Sequence, residues 1–227
     1  SQAPIPEAYS QSGQNIKIKE GSHFRAEIRT SPWHEKLPMG TEYWLGWSYF
    51  VPDSYIHDKA NRMTIFQGHA GRNGPQVELY IDNDTRELIL FTHHQAYSNN
   101  KTKRRVKTGA SLVPGEWIDF VAHIVWDTEA GGRGLTELWI NEKKNSIEGG
   151  NVFESDPEDP NMPYPGTPKL GMYKWPWRYT KDVNESKKAG VTTLELLVGP
   201  VRYWRSTAGE KLAEDGYAKV APRGARK

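Results

Sequence analysis

The chain of 227 residues contains no cysteine. That excludes a disulfide framework, a thiolate zinc site and a cysteine nucleophile. No apolar run approaches the ~20 residues that a membrane helix needs, so no membrane partner is expected. Helix-period patterns are nearly absent, as is the Ala/Leu/Glu/Lys-rich composition of a helix bundle. Charge of either sign is not in excess: 30 Lys+Arg face 28 Asp+Glu, for a net +2. With no base-reading motif beside that balance, no nucleic-acid partner is expected. What is abundant is aromatic: 9 Trp and 11 Tyr, beside 21 Gly and 15 Pro. That content excludes a disordered chain. A chain of this size hides roughly 70–75% of its unfolded surface, and a single domain over residues 1–227 is the expectation.

Almost every ordered segment reads with period two. In 24–30 (FRAEIRT), Phe24, Ala26 and Ile28 fall on one face and Arg25, Glu27 and Arg29 on the other. Segments 42–51, 62–70, 75–82, 86–93, 116–126, 135–141, 168–175 and 191–204 also read as strands. Residues 208–215 are the one stretch that fits a short helix, and 149–166 read as a surface loop rich in Pro and Asp. The pattern predicts an all-β protein: a two-sheet antiparallel sandwich of jelly-roll, concanavalin-A-like type, with a concave substrate cleft.

Three of these strands carry polar groups on their second face. Arg25, Glu27 and Arg29 read in two ways. They form a solvated face with cross-strand ion pairs, worth ~0–1 kcal/mol each, or a row of guanidinium forks suited to carboxylates. Gln67 and His69 share a face, with Met63 and Ile65 assigned to the same side and Thr64 and Phe66 to the other. Lys169, Gly171 and Tyr173 share a third face. There Gly171 removes a side chain between a cation and a phenol, making room for a ligand or for a close backbone approach.

These three strands carry a resemblance. R-A-E-I-R at 25–29 is similar to the R-x-E-x-R strand of jelly-roll alginate lyases, and Q-G-H at 67–69 to their Q-x-H motif. K-L-G-M-Y at 169–173 resembles their K-x-G-x-Y strand, which places Tyr173 at the position of the catalytic tyrosine. The motifs follow that family's order. Segments 43–52, 117–126 and 138–141 resemble a neighbouring group, the glucuronan lyases and heparin-lyase-I-like polysaccharide lyases. The resemblance spans about residues 20–204. Thr167 stands where alginate lyases carry an aromatic residue, and Gly68 replaces their branched residue in Q-x-H. Both departures point away from alginate and leave the lyase chemistry standing.

The resemblance implies β-elimination on a uronic-acid polysaccharide, and the residue types suit it. The proton on C5 of a uronate is barely acidic, because its loss places a second negative charge beside the carboxylate. Arg25, Gln67 and His69 are the candidate donors to the carboxylate oxygens, where one well-aimed donor is worth ~10²–10³ in rate. Tyr173 is the candidate acid for the departing O4, and on a syn substrate also the base. His69 or His34 is the candidate base for the opposite geometry. Candidate substrate-binding residues are Arg29, Lys169, Lys174, Trp175, Arg178 and His93. His123, in mid-strand, reads as structural. The run KTKRRVK at 101–107 packs five cations into seven residues; it reads as a solvated loop or as a rim that guides a polyanion.

No cofactor or metal is expected to be required for catalysis. The resemblance allows a structural calcium, for which the acidic loop 156–159 offers oxygen ligands without a defined spacing. A lectin on the same sandwich is the chief rival reading. A glycoside hydrolase would need alternating carboxylates that are not there. The chain opens at Ser1 without an apolar leader, which suits a processed or trimmed chain. The expectation is thus a secreted or periplasmic, monomeric, endo-acting polysaccharide lyase with an anionic polysaccharide as partner. β-1,4-Glucuronan is the first choice of polymer; ulvan, heparin-type glycosaminoglycan and alginate stay open.

Overall fold

A computed structural model describes residues 24–29, 40–69, 75–94, 102–125, 127, 133–147, 167–206 and 209–222. They form two antiparallel sheets packed face to face. The first takes β1 (Phe24–Arg29), β10 (Thr167–Lys174), β3 (Met63–His69), β4 (Val77–Ile81), β5 (Glu87–His94) and β6 (Thr102–Ser111), in that spatial order. The second takes β11 (Leu197–Val198), β2 (Glu42–Phe50), β7 (Trp117–Val125), β8 (Leu135–Ile140) and β9 (Lys143–Ser146), with β12 (Arg202–Arg205) also pairing with β2. The expected two-sheet β-sandwich of jelly-roll type is what the chain forms.

Strand alternation builds the core. Tyr43, Leu45, Trp47 and Tyr49 point from β2, and Val51 from just beyond it, into the space between the sheets. Trp47 stacks on Phe66 from the first sheet and on Phe120 from β7, both with ring centroids 5.0 Å apart. The opposite face of β2 is covered by a short helix, α2 (Gly216–Val220), through Trp44, Val121 and Val220. Gly46 is what lets α2 approach, since a Cβ there would collide with the Val220 carbonyl. On this same outer face His123 lies between Glu42 (2.8 Å) and Glu137 (2.9 Å), stacked on Trp44 with centroids 3.8 Å apart. Its expected structural role is thereby explained: the ring is saturated with partners.

Several elements differ from the sequence reading. Residues 102–111 are strand β6, not a loop. Val106 and Ala110 pack on the core, while Arg105 and Lys107 are exposed; the cations hide the period of two. Strand β9 is polar apart from its neighbours, so its signal was absent. Segment 191–204 yields only β11 and β12, with Pro200, which has no N–H to donate, between them. The helix lies at Gly216–Val220 rather than at 208–215, and a second one, α1 (Thr180–Lys188), went unread. It buries only Ser186 and so has no apolar stripe to reveal it. The loop 149–166 lies outside the described residues.

Candidate active site

The outer face of the first sheet brings the three motifs together through strand register. β1 pairs with β10 so that Arg25 faces Tyr173, Glu27 faces Gly171 and Arg29 faces Lys169. β10 pairs with β3 so that Lys169 faces Gln67 and Thr167 faces His69. Residues directly opposite share a face. Arg25, Glu27, Arg29, Lys169, Tyr173 and Gln67 therefore form one patch across three neighbouring strands.

Glu27 is its hub, a role the sequence reading gave only as a counter-charge. It sits opposite Gly171, where no side chain intervenes, and reaches across β10 to accept a hydrogen bond from Gln67 Nε2. Arg25 NH1 lies 3.6 Å from its other oxygen. Burial raises the Glu27 pKa above the ordinary glutamate value, outweighing Gln67, Lys169 and Arg25. Of the two roles foreseen for Gly171, the structure shows the close approach. Its φ is +132°, and a Cβ would strike the carbonyl oxygen of Ala26.

The Arg25 guanidinium lies over the Tyr173 ring. Burial raises the phenol pKa; Arg25 and Arg178 oppose the rise and Glu27 adds to it. The phenol is thus protonated at neutral pH and able to donate. Lys169 is pulled down, by burial above all.

The alternation expected for β3 fails at one point. The ladder with β4 slips between Thr64 and Phe66, so Ile65 and Phe66 both enter the core, together with Met63. Thr64 and Gln67 share the outer face instead, and Thr64 donates to Glu78 on β4. Met63 and Ile65 are not on the side of Gln67, and Thr64 is: a bulge moves residues between faces, and no local sequence signal marks this one.

Lys174 does not bind substrate from this position. It alternates to the inner side of β10, is 2% exposed, and pairs with Asp58 at 2.7 Å while donating to the Asn61 carbonyl. Burial pulls its ammonium down to about 8 against the pull of Asp58. Burial would raise Asp58 in turn, but hydrogen bonds from Lys174 and Ser186 hold it below the usual carboxylate range. The Asp58–Ser186 contact, with Trp177 Nε1 donating to Ser186 at 2.7 Å, anchors α1 to the sheet.

Trp175 and Arg178 bracket a 3₁₀ turn directly after β10. Trp175 is 43% exposed, and the Arg178 guanidinium lies 4.5 Å from its ring centroid. Beyond Trp175 a cavity of ≈ 370 Å³ opens between Asn61, Arg62, Tyr80, Asp82 and Pro176. Arg62 sits over the Tyr80 ring at 4.9 Å and pairs with Glu78 at 3.3 Å. Tyr80, Ile89 and Phe91 make an apolar platform on this same outer face, and Arg105 from β6 lies over Phe91 at 5.6 Å. None of these platform residues was read from the sequence as part of the site.

His69 and His93 have described backbone positions, opposite Thr167 and Lys103; their side chains lie outside what the structure describes. His34 and the acidic loop 156–159 lie outside the described residues altogether. Among the described residues no group of three or more His, Asp or Glu side chains is arranged to hold a metal ion. No helix among them is long and apolar enough to cross a membrane.

The fold and the patch together define an all-β sandwich that carries one continuous polar patch across three strands of one sheet. The polysaccharide lyase family model matches residues 5–192, and the chain belongs to that family: it is a polysaccharide lyase. Among solved structures it is similar to an endo-β-1,4-glucuronan lyase from the fungus Trichoderma reesei. That match has TM-score 0.57 and 17% identity, over 90% of this chain and 80% of that one. It is also similar to a family 18 polysaccharide lyase, aly-SJ02, at TM-score 0.53 and 15% identity, over 84% and 83%. A third is the alginate lyase AlyC3, at TM-score 0.50 and 10% identity, over 82% and 72%. At these identities the likeness concerns the fold. No curated protein matches the chain.

Proposed function

We propose that the enzyme cleaves a uronic-acid polysaccharide internally by β-elimination, leaving a 4,5-unsaturated uronate at the new end, and that its polymer is a β-1,4-linked glucuronan. One observation carries this reading: Arg25, Gln67 and Tyr173, from three strands, meet on one face around Glu27. Arg25 and the second amide N–H of Gln67 receive the substrate carboxylate, so that charge building on it as H5 leaves is met by fixed donors. H5 and O4 of a D-glucuronate lie on the same face of the ring, so the elimination is syn: the phenolate form of Tyr173, which Arg25 favours, takes H5 and then gives that proton to the departing O4. His69, two residues beyond Gln67 on the same strand, is a further donor to the carboxylate. Side chains perform the carboxylate neutralisation, so the reaction requires no cofactor.

The rest of the face suits a long polyanion. Arg25, Arg29 and Lys169 flank one side of the sheet, and Arg105 and Lys107 the other. Five strand spacings of ~4.8 Å separate β1 from β6, about 24 Å in all, so several sugar units lie between the two groups of cations. The departures at Thr167 and Gly68, with the glucuronan-lyase-like segments 43–52, 117–126 and 138–141, favour glucuronan over alginate. A polymer of this kind is met outside the cytoplasm, as a secreted or periplasmic enzyme would meet it. One chain supplies the whole site, so a monomer suffices.

The test is incubation with glucuronan, ulvan, heparin-type glycosaminoglycan and alginate, following ultraviolet absorbance of the unsaturated product. The expected result is a fast rise with glucuronan and a drop in viscosity early in the reaction. A faster rise with another polymer overturns the choice of glucuronan. New reducing ends without any rise overturn elimination itself.

A further inference from the structure

Tyr49 belongs to β2, in the sheet that does not carry the site. It is 0% exposed, and its hydroxyl crosses the core to end inside the first sheet. There it donates to the Ile65 carbonyl at 2.7 Å and accepts from the Gly171 N–H at 2.6 Å. Those two groups belong to neighbouring strands, β3 and β10, at the place where their ladder breaks. Leu170 faces Phe66 and Tyr173 faces Thr64, so three steps on β10 span two on β3. The phenol hydroxyl fills the gap, standing in for the hydrogen bond that the strands do not make with each other.

The break decides which residue of β3 Tyr173 meets. Its face is set by alternation along β10 and by the pairing with Arg25 on β1, but in an uninterrupted ladder continuing from Leu170 and Phe66 it would come opposite Met63. The extra step puts it opposite Thr64 instead, one residue nearer to Gln67 along β3. Gly171 supplies the left-handed φ that the extra step needs.

We infer that Tyr49 is a positioning residue for the elimination: its hydroxyl holds the paired irregularities of β3 and β10 that set Tyr173 against Gln67. The inference rests on the reading of Tyr173 as the general acid. Tyr49 touches no substrate; it acts through the backbone at Ile65 and Gly171. A displacement near 1 Å in a reacting group lowers turnover by up to ~10², whereas carboxylate binding through Arg25 is made on β1 and is left in place.

The test compares Tyr49→Phe with Tyr173→Phe on the polymer that the wild-type enzyme cleaves. The expected result for Tyr49→Phe is a kcat lowered by about 10- to 100-fold with KM within about twofold, in a variant whose circular dichroism is that of the wild type. The alkaline limb of its kcat–pH profile also moves, because the surroundings of the acid have changed. A wild-type kcat in Tyr49→Phe, with Tyr173→Phe inactive, overturns the inference and leaves the acid assignment intact. Wild-type activity in Tyr173→Phe overturns the acid assignment instead. Should Tyr49→Phe not fold, amide hydrogen exchange in the wild-type protein decides. A Gly171 N–H held by a buried phenol exchanges as slowly as the ladder amides of the core, and exchange at the rate of an exposed turn overturns the role.

Discussion

The guanidinium carbon of Arg25 lies 4.7 Å from the ring centroid of Tyr173, its direct cross-strand partner. On the proposed reading the two side chains share the chemistry: the cation takes the carboxylate, and the phenol below it serves the leaving oxygen. Tyr173→Phe keeps the ring under Arg25 and removes the proton. Its kcat should fall by ~10²–10⁴ with polymer affinity little changed. Arg25→Ala should lower kcat and raise KM together, because it removes a donor to the carboxylate and a charge that favours phenol ionisation. Steady-state kinetics on the cleaved polymer separate the two patterns; a Tyr173→Phe enzyme with ordinary kcat removes the phenol from the chemistry.

Glu27 sets a stability–activity conflict inside the site. Its pKa in the folded protein lies above the ~4.3 of an unfolded glutamate. The folded state therefore holds the proton more tightly, and the associated stability is complete below the unfolded pKa and lost as pH rises through the folded one. Glu27→Gln should raise the thermal midpoint at pH 7–8 and leave it nearly unchanged below the unfolded pKa. Activity should drop, since Arg25 loses its carboxylate partner and Gln67 its ionised acceptor. Scanning calorimetry across pH checks the sign: a midpoint lowered at neutral pH contradicts it.

Asp58 and Lys174 form a pair with side chains 4% and 2% exposed. Asp58→Asn leaves an ammonium buried without its counter-charge, for which a cost of about 3–5 kcal/mol is typical. Urea unfolding should show that loss. Replacing both by apolar residues should cost less than the single change. A single variant within 1 kcal/mol of wild type (about a fivefold change in the equilibrium) would show that the pair is not held as the structure has it.

The β6 cations act at a distance from the chemistry. Arg105→Ala with Lys107→Ala should raise KM for long polymer by about 2- to 10-fold and flatten its dependence on salt, with kcat at saturation little changed. Measuring KM from low to moderate ionic strength tests this; an unaltered salt slope places the polymer elsewhere on the sheet.

Much of this site was legible because period-two alternation fixes which side chains share a face. The row Arg25, Glu27, Arg29 and the row Lys169, Gly171, Tyr173 come straight from it, and the register brings them side by side. What alternation cannot show is where it breaks. Thr64 reached the outer face, and Ile65 the core, through an irregularity that depends on Tyr49, a residue from another sheet. Lys174 was misplaced for a different reason, since alternation itself puts a residue next to Tyr173 on the opposite face of the strand. Its burial is stabilised by Asp58, more than a hundred residues away in the chain. Strand β6 was missed because its charge concealed its period.

That strand is also the last of its sheet among the described residues. A strand border without a partner strand invites a second molecule to pair with it, and Arg105 and Lys107, exposed along this one, bring like charges to any such pairing. Concentrated brine screens that repulsion.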